Sequence, residues 1–239
     1  MDLEFGDKTR EPDIRRLFDM KDVIFDQSWL ARRDNSELYY MFRDLFLSRA
    51  DGDKLRDQNL RYDITIIPPG MMGCEFIKTA GHYHPLAPGS AVTYPELYEV
   101  LEGEALYLLQ NEDLSDVVAI NAAAGDKVLV PPNYGHITIN RSNKILKMSN
   151  FVARDFSSLY DPIKEKGGGA YFFTRDGWIK NPRCPEASEL RRADAPGGRT
   201  LSQLGLAKGK EMYPLLKEHG RLDYLTRPGD HLDLFSGVI

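Results

Sequence analysis

Gly81-His82-Tyr83-His84, followed by Glu96 and Gly103, is the first of two stretches that decide how this chain folds. The second is Gly125-Asp126-Lys127-Val128-Leu129-Val130-Pro131-Pro132-Asn133-Tyr134-Gly135-His136, with Asn140 beyond it. Together they hold three of the chain's five histidines. Side chains two apart on a β-strand point to the same face, so His82 and His84 can reach one ion together. A carboxylate, Glu96, and a third imidazole, His136, arriving from neighbouring strands would complete the site. Three neutral imidazoles and a carboxylate suit a borderline divalent ion: Fe(II), Mn(II), Ni(II) or Zn(II). Glu99, Glu102 and Glu104 are rival carboxylates. The strand period favours Glu96, because Tyr98 shares its face and Glu99 does not.

The rest of the chain is compatible with such a site. It has 239 residues, 42% hydrophobic and 28% charged, as in a globular protein with one core and some extensions. A net charge of −5 without any Lys or Arg run offers no groove for nucleic acid. The apolar stretches are strand-sized, so no membrane span is expected. Met1 to Asp7 lacks the features of a signal peptide. Cys74 and Cys184 are too few for a zinc cluster, and no disulfide is required of them. A cytoplasmic location is the expectation.

Short strands dominate the middle of the chain. Tyr62 to Ile66 alternates, and Pro68-Pro69-Gly70 ends it. Leu97 to Leu101 and Glu104 to Gln110 read as a hairpin turning at Glu102-Gly103. Val117 to Ile120, Lys127 to Val130, Ile137 to Asn140, Ile145 to Phe151 and Tyr171 to Phe173 supply more. Turn signals this frequent suggest an antiparallel barrel or jelly roll spanning 55–175. Within it, Pro85 to Pro95 reads as a surface loop. Residues 1–54 read as an N-terminal arm of helical character, with Glu37 to Leu47 either strand or short helix. Residues 176–239 read as a C-terminal extension: a linker over Arg183 to Gly209, one amphipathic helix over Gly209 to His219, and a packing tail. Gly167-Gly168-Gly169 is a turn, since no Lys-Ser/Thr pair follows it. Trp29 and Trp178 read as core or interface, His219 and His231 as surface.

Both histidine stretches resemble the paired signature boxes of the cupin superfamily. The second matches from Gly125 through Pro131 to His136 and Asn140, departing at Asn133 where the pattern has glycine. In the first, the spacing of Glu96 and Gly103 fits, while the interval between His84 and Glu96 is longer than usual and a glycine before His82 is missing. The fold implied is mainly β, a cupin-type antiparallel β-barrel with the arm and a partly helical extension.

A narrower resemblance rests on Thr79-Ala80-Gly81-His82-Tyr83-His84, on Pro95 to Gly103, on Val130 to His136, and on Arg15-Arg16-Leu17-Phe18-Asp19-Met20. These are similar to the cupin-type glucose-6-phosphate isomerases over roughly residues 12–175. The resemblance implies interconversion of glucose 6-phosphate and fructose 6-phosphate in glycolysis or gluconeogenesis, by a homodimer with one divalent metal per subunit. Iron(II) is the first choice, with Mn(II), Ni(II) or Zn(II) as alternatives. The ligands implied are His82, His84, Glu96 and His136. Thr65, Thr79 and Gly81 are the implied phosphate contacts, with Tyr39 and Tyr160 as further substrate contacts. Val152 and Ser158 stand where that family has a tyrosine and a histidine.

Aldose–ketose isomerisation moves a proton between adjacent carbons through an enediolate and needs a carboxylate within reach of both. Glu96 is the candidate proton shuttle, and Tyr98 the candidate to steer hydroxyl protons. Hydroxyls of Thr65 and Thr79 and the Gly81 amide are suitable neutral donors for phosphate. The plainer alternatives are β-propensity threonines and packing tyrosines. The rival functions are an Fe or Mn oxidase or dioxygenase on the same ligands, a non-catalytic sugar-phosphate binder, and an isomerase preferring mannose 6-phosphate.

Overall fold

The computed structural model describes residues 1–239. The strands in chain order are β1 (Leu3–Phe5), β2 (Lys8–Arg10), β3 (Asp13–Arg16), β4 (Glu37–Phe42), β5 (Leu60–Ile67), β6 (Met71–Met72), β7 (Glu75–Phe76) and β8 (Glu96–Glu102). They continue with β9 (Glu104–Asn111), β10 (Val117–Ala123), β11 (Lys127–Val130), β12 (Tyr134–Ile139), β13 (Leu146–Ala153), β14 (Tyr171–Thr174), β15 (Gly177–Lys180) and β16 (Arg191–Asp194).

Two sheets make the body of the molecule. One has six strands in the order β11-β8-β13-β5-β4-β3, the other four in the order β12-β9-β10-β16. Their facing sides share one core: Tyr98 and Val100 from β8 meet Leu106 and Leu108 from β9, Ile120 from β10 and Ile137 from β12. This is the mainly β, cupin-like architecture expected, with one difference. The sheets face each other without a continuous ring of strand pairing, and the segment between β7 and β8 is bridged to β12 at Lys78↔Ile139 and His82↔His136. A small sheet, β15-β14-β7-β6, flanks them, and β1 pairs with β2.

The β8–β9 hairpin shows why the sequence folds this way locally. Gly103 has φ +80, and a Cβ there would stand 2.4 Å from the Ile145 carbonyl oxygen, so only glycine fits the turn. Along β8, Glu96, Tyr98 and Val100 face inward while Leu97 and Glu99 face out, yet all five are buried. A strand buried on both faces needs a second cover, and the C-terminal extension provides it. Tyr62, Ile64, Leu97, Leu129 and Phe151 on the outer face pack against Leu201, Met212, Tyr213, Leu216 and Leu225. The outward Glu99 pairs with Lys127 at 2.9 Å and accepts the Met212 amide N–H at 2.8 Å.

The ends of the chain differ most from expectation. Helical character in the first 54 residues is confined to a 3-10 helix, Leu17–Val23, the four-residue α1 (Gln27–Leu30) and the start of α2 (Arg49–Asp57). β3 and β4 instead extend the large sheet, because their backbone groups find partners there: Tyr40 pairs with Ile14 on one side and Ile66 on the other. The linker expected over Arg183 to Gly209 contains β16, which lies parallel to β10, and a short helix α3 follows α2 at Asp161–Glu165, with α4 at Gly198–Gln203. The single helix expected over Gly209 to His219 is a 3-10 turn, Tyr213–Lys217, with Pro214 in its first turn. Gly209 at φ +75 and Gly220 at φ +72 reverse the chain on either side, which leaves room for that one turn.

Candidate metal centre and active site

His82 sits in an extended segment that runs beside β12 rather than in a regular strand. Its backbone exchanges hydrogen bonds with His136, while the next residue, Tyr83, exchanges them with Leu159. That alternation turns His82 and His84 to one side and Tyr83 to the other. Gly81 begins the segment at φ +77, where a Cβ would stand 2.4 Å from Ile137 Cγ1. The chain therefore needs glycine at this position for packing, whatever else the amide does.

The four side chains expected as ligands come together. His82, His84, Glu96 and His136 place one nitrogen or oxygen each within 4.8 Å of one another. The Nε2 atoms of His82 and His84 are 3.1 Å apart, and Glu96 Oε2 lies 3.3 Å from Nε2 of both His84 and His136. Ligands about 2.0–2.1 Å from a divalent ion, at right angles to one another, stand about 3 Å apart. Glu96 Oε2 is buried with no hydrogen-bond partner, an arrangement that costs free energy unless a cation satisfies it. His84 Nδ1 lies 2.9 Å from the Tyr94 carbonyl; a carbonyl only accepts, so Nδ1 carries the proton and Nε2 keeps its lone pair. Burial, reinforced by His136 and His84, holds the His82 imidazole well below its usual pKa, so it stays neutral. Burial disfavours the Glu96 carboxylate, but the adjoining His136 and His84 outweigh it and hold its pKa well below the usual carboxylate value, so the group stays ionised. Donor set, burial and spacing all fit a bound divalent metal.

The cluster lines a cavity open to solvent. Every residue expected to meet substrate lines it: Tyr39, Thr65, Thr79, Gly81, Tyr98 and Tyr160. So do Val152 and Ser158. Strand register orders this lining into rows, since residues directly opposite on paired strands share a face. Glu96 is opposite Val152, and Val152 opposite Arg61. In the next row come Tyr98, Asn150 and Asp63. Met148, Thr65 and Met41 follow. Tyr39 stands beyond them, where its hydroxyl oxygen accepts the Ala80 amide N–H at 3.2 Å.

The hydroxyls are oriented by what they already accept. Thr79 Oγ1 takes the Thr138 amide N–H at 2.9 Å, leaving its proton free to donate. Tyr98 Oη is 3.0 Å from His136 Nε2, the lone pair an ion would use. Burial first, then the Glu96 charge, pushes the Tyr98 phenol well above its usual pKa, so it remains a donor. Tyr94 stacks on Phe156 with ring centroids 4.9 Å apart, and Phe156 covers His84 at 4.6 Å. The loop over Pro85 to Pro95 thus returns to the site and supplies both the Tyr94 carbonyl and part of a water-excluding wall.

Several lining or supporting residues are not apparent from the sequence. Asp63 and Asn150 are buried in the wall of the cavity, and Arg61 holds Asp63 through Nε at 2.8 Å. Arg15 lies behind Tyr39, with its guanidinium 5.7 Å from the Tyr160 ring centroid. The one signal for Arg15 is its place in the Arg15 to Met20 motif; the others follow only from register.

The family described as Glucose-6-phosphate isomerase (GPI) matches residues 14–188. The chain belongs to the glucose-6-phosphate isomerase family. The glucose-6-phosphate isomerase of Pyrococcus abyssi is 30% identical over 176 residues, 71% of this chain and 86% of that protein. That of Thermococcus litoralis is 30% identical over 170 residues, 70% of this chain and 83% of its own length. Among solved structures, oxalate decarboxylase of Lactobacillus farciminis overlaps 53% of this chain and 32% of its own, at 20% identity and a TM-score of 0.39. The family match of residues 14–188 ends before β16 and the C-terminal cover of this glucose-6-phosphate isomerase family member.

Proposed function

We propose that this protein interconverts glucose 6-phosphate and fructose 6-phosphate, using one divalent metal per subunit, iron(II) first among Fe, Mn, Ni and Zn. The observation that carries the reading is the cluster of three imidazoles and a carboxylate, buried but for the half-buried His82, set in a cavity that also presents hydroxyls free to donate. His82, His84, Glu96 and His136 would hold the ion, which would act as a Lewis acid toward the oxygen on which negative charge develops. Glu96 turns Oε2 to the imidazoles. Oε1 is then the atom that carries the proton between C1 and C2. Tyr98 donates its phenolic proton toward the substrate hydroxyls. Thr65, Thr79, Tyr39, Tyr160 and the Gly81 amide are neutral donors for the phosphate, and Arg15 behind Tyr39 and Tyr160 supplies the positive charge that a dianion calls for. Phe156 and Tyr94 keep water from the reacting carbons.

No helix is long and apolar enough to cross a membrane. With the family membership, this supports a cytoplasmic enzyme of glycolysis or gluconeogenesis. A homodimer is the proposed assembly, to be read from sedimentation or light scattering. The deciding experiment is a coupled assay of glucose 6-phosphate formation from fructose 6-phosphate, on protein stripped with chelator and reloaded with each ion. Metal-dependent turnover is expected. Stoichiometric metal uptake without turnover on any ion sinks the isomerase reading, and oxygen consumption would then be measured.

A further inference from the structure

The geometry points to Asn150 as a specificity-determining residue that hydrogen-bonds the mid-chain hydroxyls of the sugar phosphate. Its side chain is buried, yet it lines the cavity and makes no hydrogen bond within the protein. Buried amides nearly always have partners, so a polar side chain left open to a cavity marks a place where a ligand supplies them. The neighbours of Asn150 already have contacts of their own. Asp63 accepts the Asp44 amide N–H at 2.9 Å and Arg61 Nε, and Tyr98 lies against His136.

Register fixes which part of a substrate Asn150 would meet, and this step rests on the isomerase reading. Asn150 stands opposite Tyr98 and Asp63, one row from the Glu96–Val152 pair and one row from the Met148–Thr65 pair. Same-face rows on a strand are about 6.6–6.8 Å apart. A hexose phosphate with C1 and C2 at the metal cluster and its phosphate toward Thr65 passes its C3 and C4 hydroxyls across that middle row. Asparagine brings one acceptor and two donors, so it can read a hydroxyl as acceptor and as donor at once. Val152 is apolar and Ser158 offers a single hydroxyl, which leaves Asn150 as the one amide side chain in the cavity lining. Recognition of this kind discriminates configuration strongly, because a misplaced hydroxyl leaves the buried amide unsatisfied.

The test compares fructose 6-phosphate with its C4 epimer, tagatose 6-phosphate, for the metal-loaded wild type, Asn150→Leu and Asn150→Ala. Both kcat/KM and the calorimetric Kd are read for each ketose phosphate. The expected result is a preference of the wild type for one epimer that falls about tenfold or more in both variants, with metal content and thermal midpoint retained. Asn150→Ala only enlarges the cavity, so it carries the test should the leucine variant fold poorly. An epimer ratio unchanged in the alanine variant overturns the proposal. So does failure of the wild type to bind either ketose phosphate. Binding that discriminates through Asn150, without turnover, would uphold the residue's role while removing the isomerase reading.

Discussion

Glu96 has two tasks under the proposed function, and a conservative substitution separates them. Glu96→Gln keeps an oxygen toward the imidazoles but removes the group that accepts a proton. Turnover should fall by at least about a hundredfold, the contribution typical of a positioned base, while most of the metal remains on His82, His84 and His136. Metal analysis beside the kinetic assay checks this; parallel loss of metal and activity counts against the shuttle. At the phosphate end, Arg15→Gln should raise KM for fructose 6-phosphate about tenfold with kcat nearly unchanged, since it removes charge that acts on the bound phosphate and not on the reacting carbons. Unchanged KM removes Arg15 from that site. The four clustered side chains were legible in the sequence because their residue types, and the two-residue spacing of His82 and His84, can be read locally. Asn150 and Asp63 were not, since facing one another across β13 and β5 depends on a register set by residues far apart in the chain.

At the scale of elements, β16 shows how an unpromising sequence becomes a strand. Arg191-Arg192-Ala193-Asp194 has no apolar alternation, so pattern alone reads it as linker. Its backbone pairs along β10, and Arg191 binds Asp116 through Nε at 2.7 Å and Nη2 at 2.8 Å. The Arg191 hydrogen bonds lead in pulling the Asp116 carboxyl below its usual pKa, aided by Tyr134. A carboxylate depressed in the folded state contributes stability that is full above its unfolded pKa, about 3.9, and lost as pH falls through the lower folded value. Asp116→Asn should therefore cost about 1 kcal/mol at neutral pH. The gap between wild type and variant should close as the pH drops below that unfolded value. Denaturant unfolding at a series of pH values measures it, and a pH-independent gap would assign the loss to packing. The β8–β9 hairpin, by contrast, was legible because Gly103 announces its turn.

For the whole molecule, the question is whether the two facing sheets stand without the C-terminal cover. Eleven buried apolar residues between Leu201 and Val238 share a core with the outer face of the large sheet. That face includes Leu97 of β8, so the strand that presents Glu96 and Tyr98 inward is sealed outward by the extension. Without the extension, Tyr62, Ile64, Leu97, Leu129 and Phe151 on that face would stand open to water, at a cost of about 1.5–3 kcal/mol for each side chain fully uncovered. Lys127 and Glu99 would also lose the Met212 amide that completes their pairing beneath the cover. Removing residues 198–239 should thus abolish the cooperative thermal transition and expose a dye-binding apolar surface, with metal lost as a consequence. Leu216→Ala, a milder change, should cost about 2–5 kcal/mol while leaving KM for fructose 6-phosphate unaltered, because the side chain faces away from the cavity. A truncated chain that melts cooperatively near the full-length temperature and still binds metal would show that the cover is dispensable, and that the two facing sheets hold β8 in place without it.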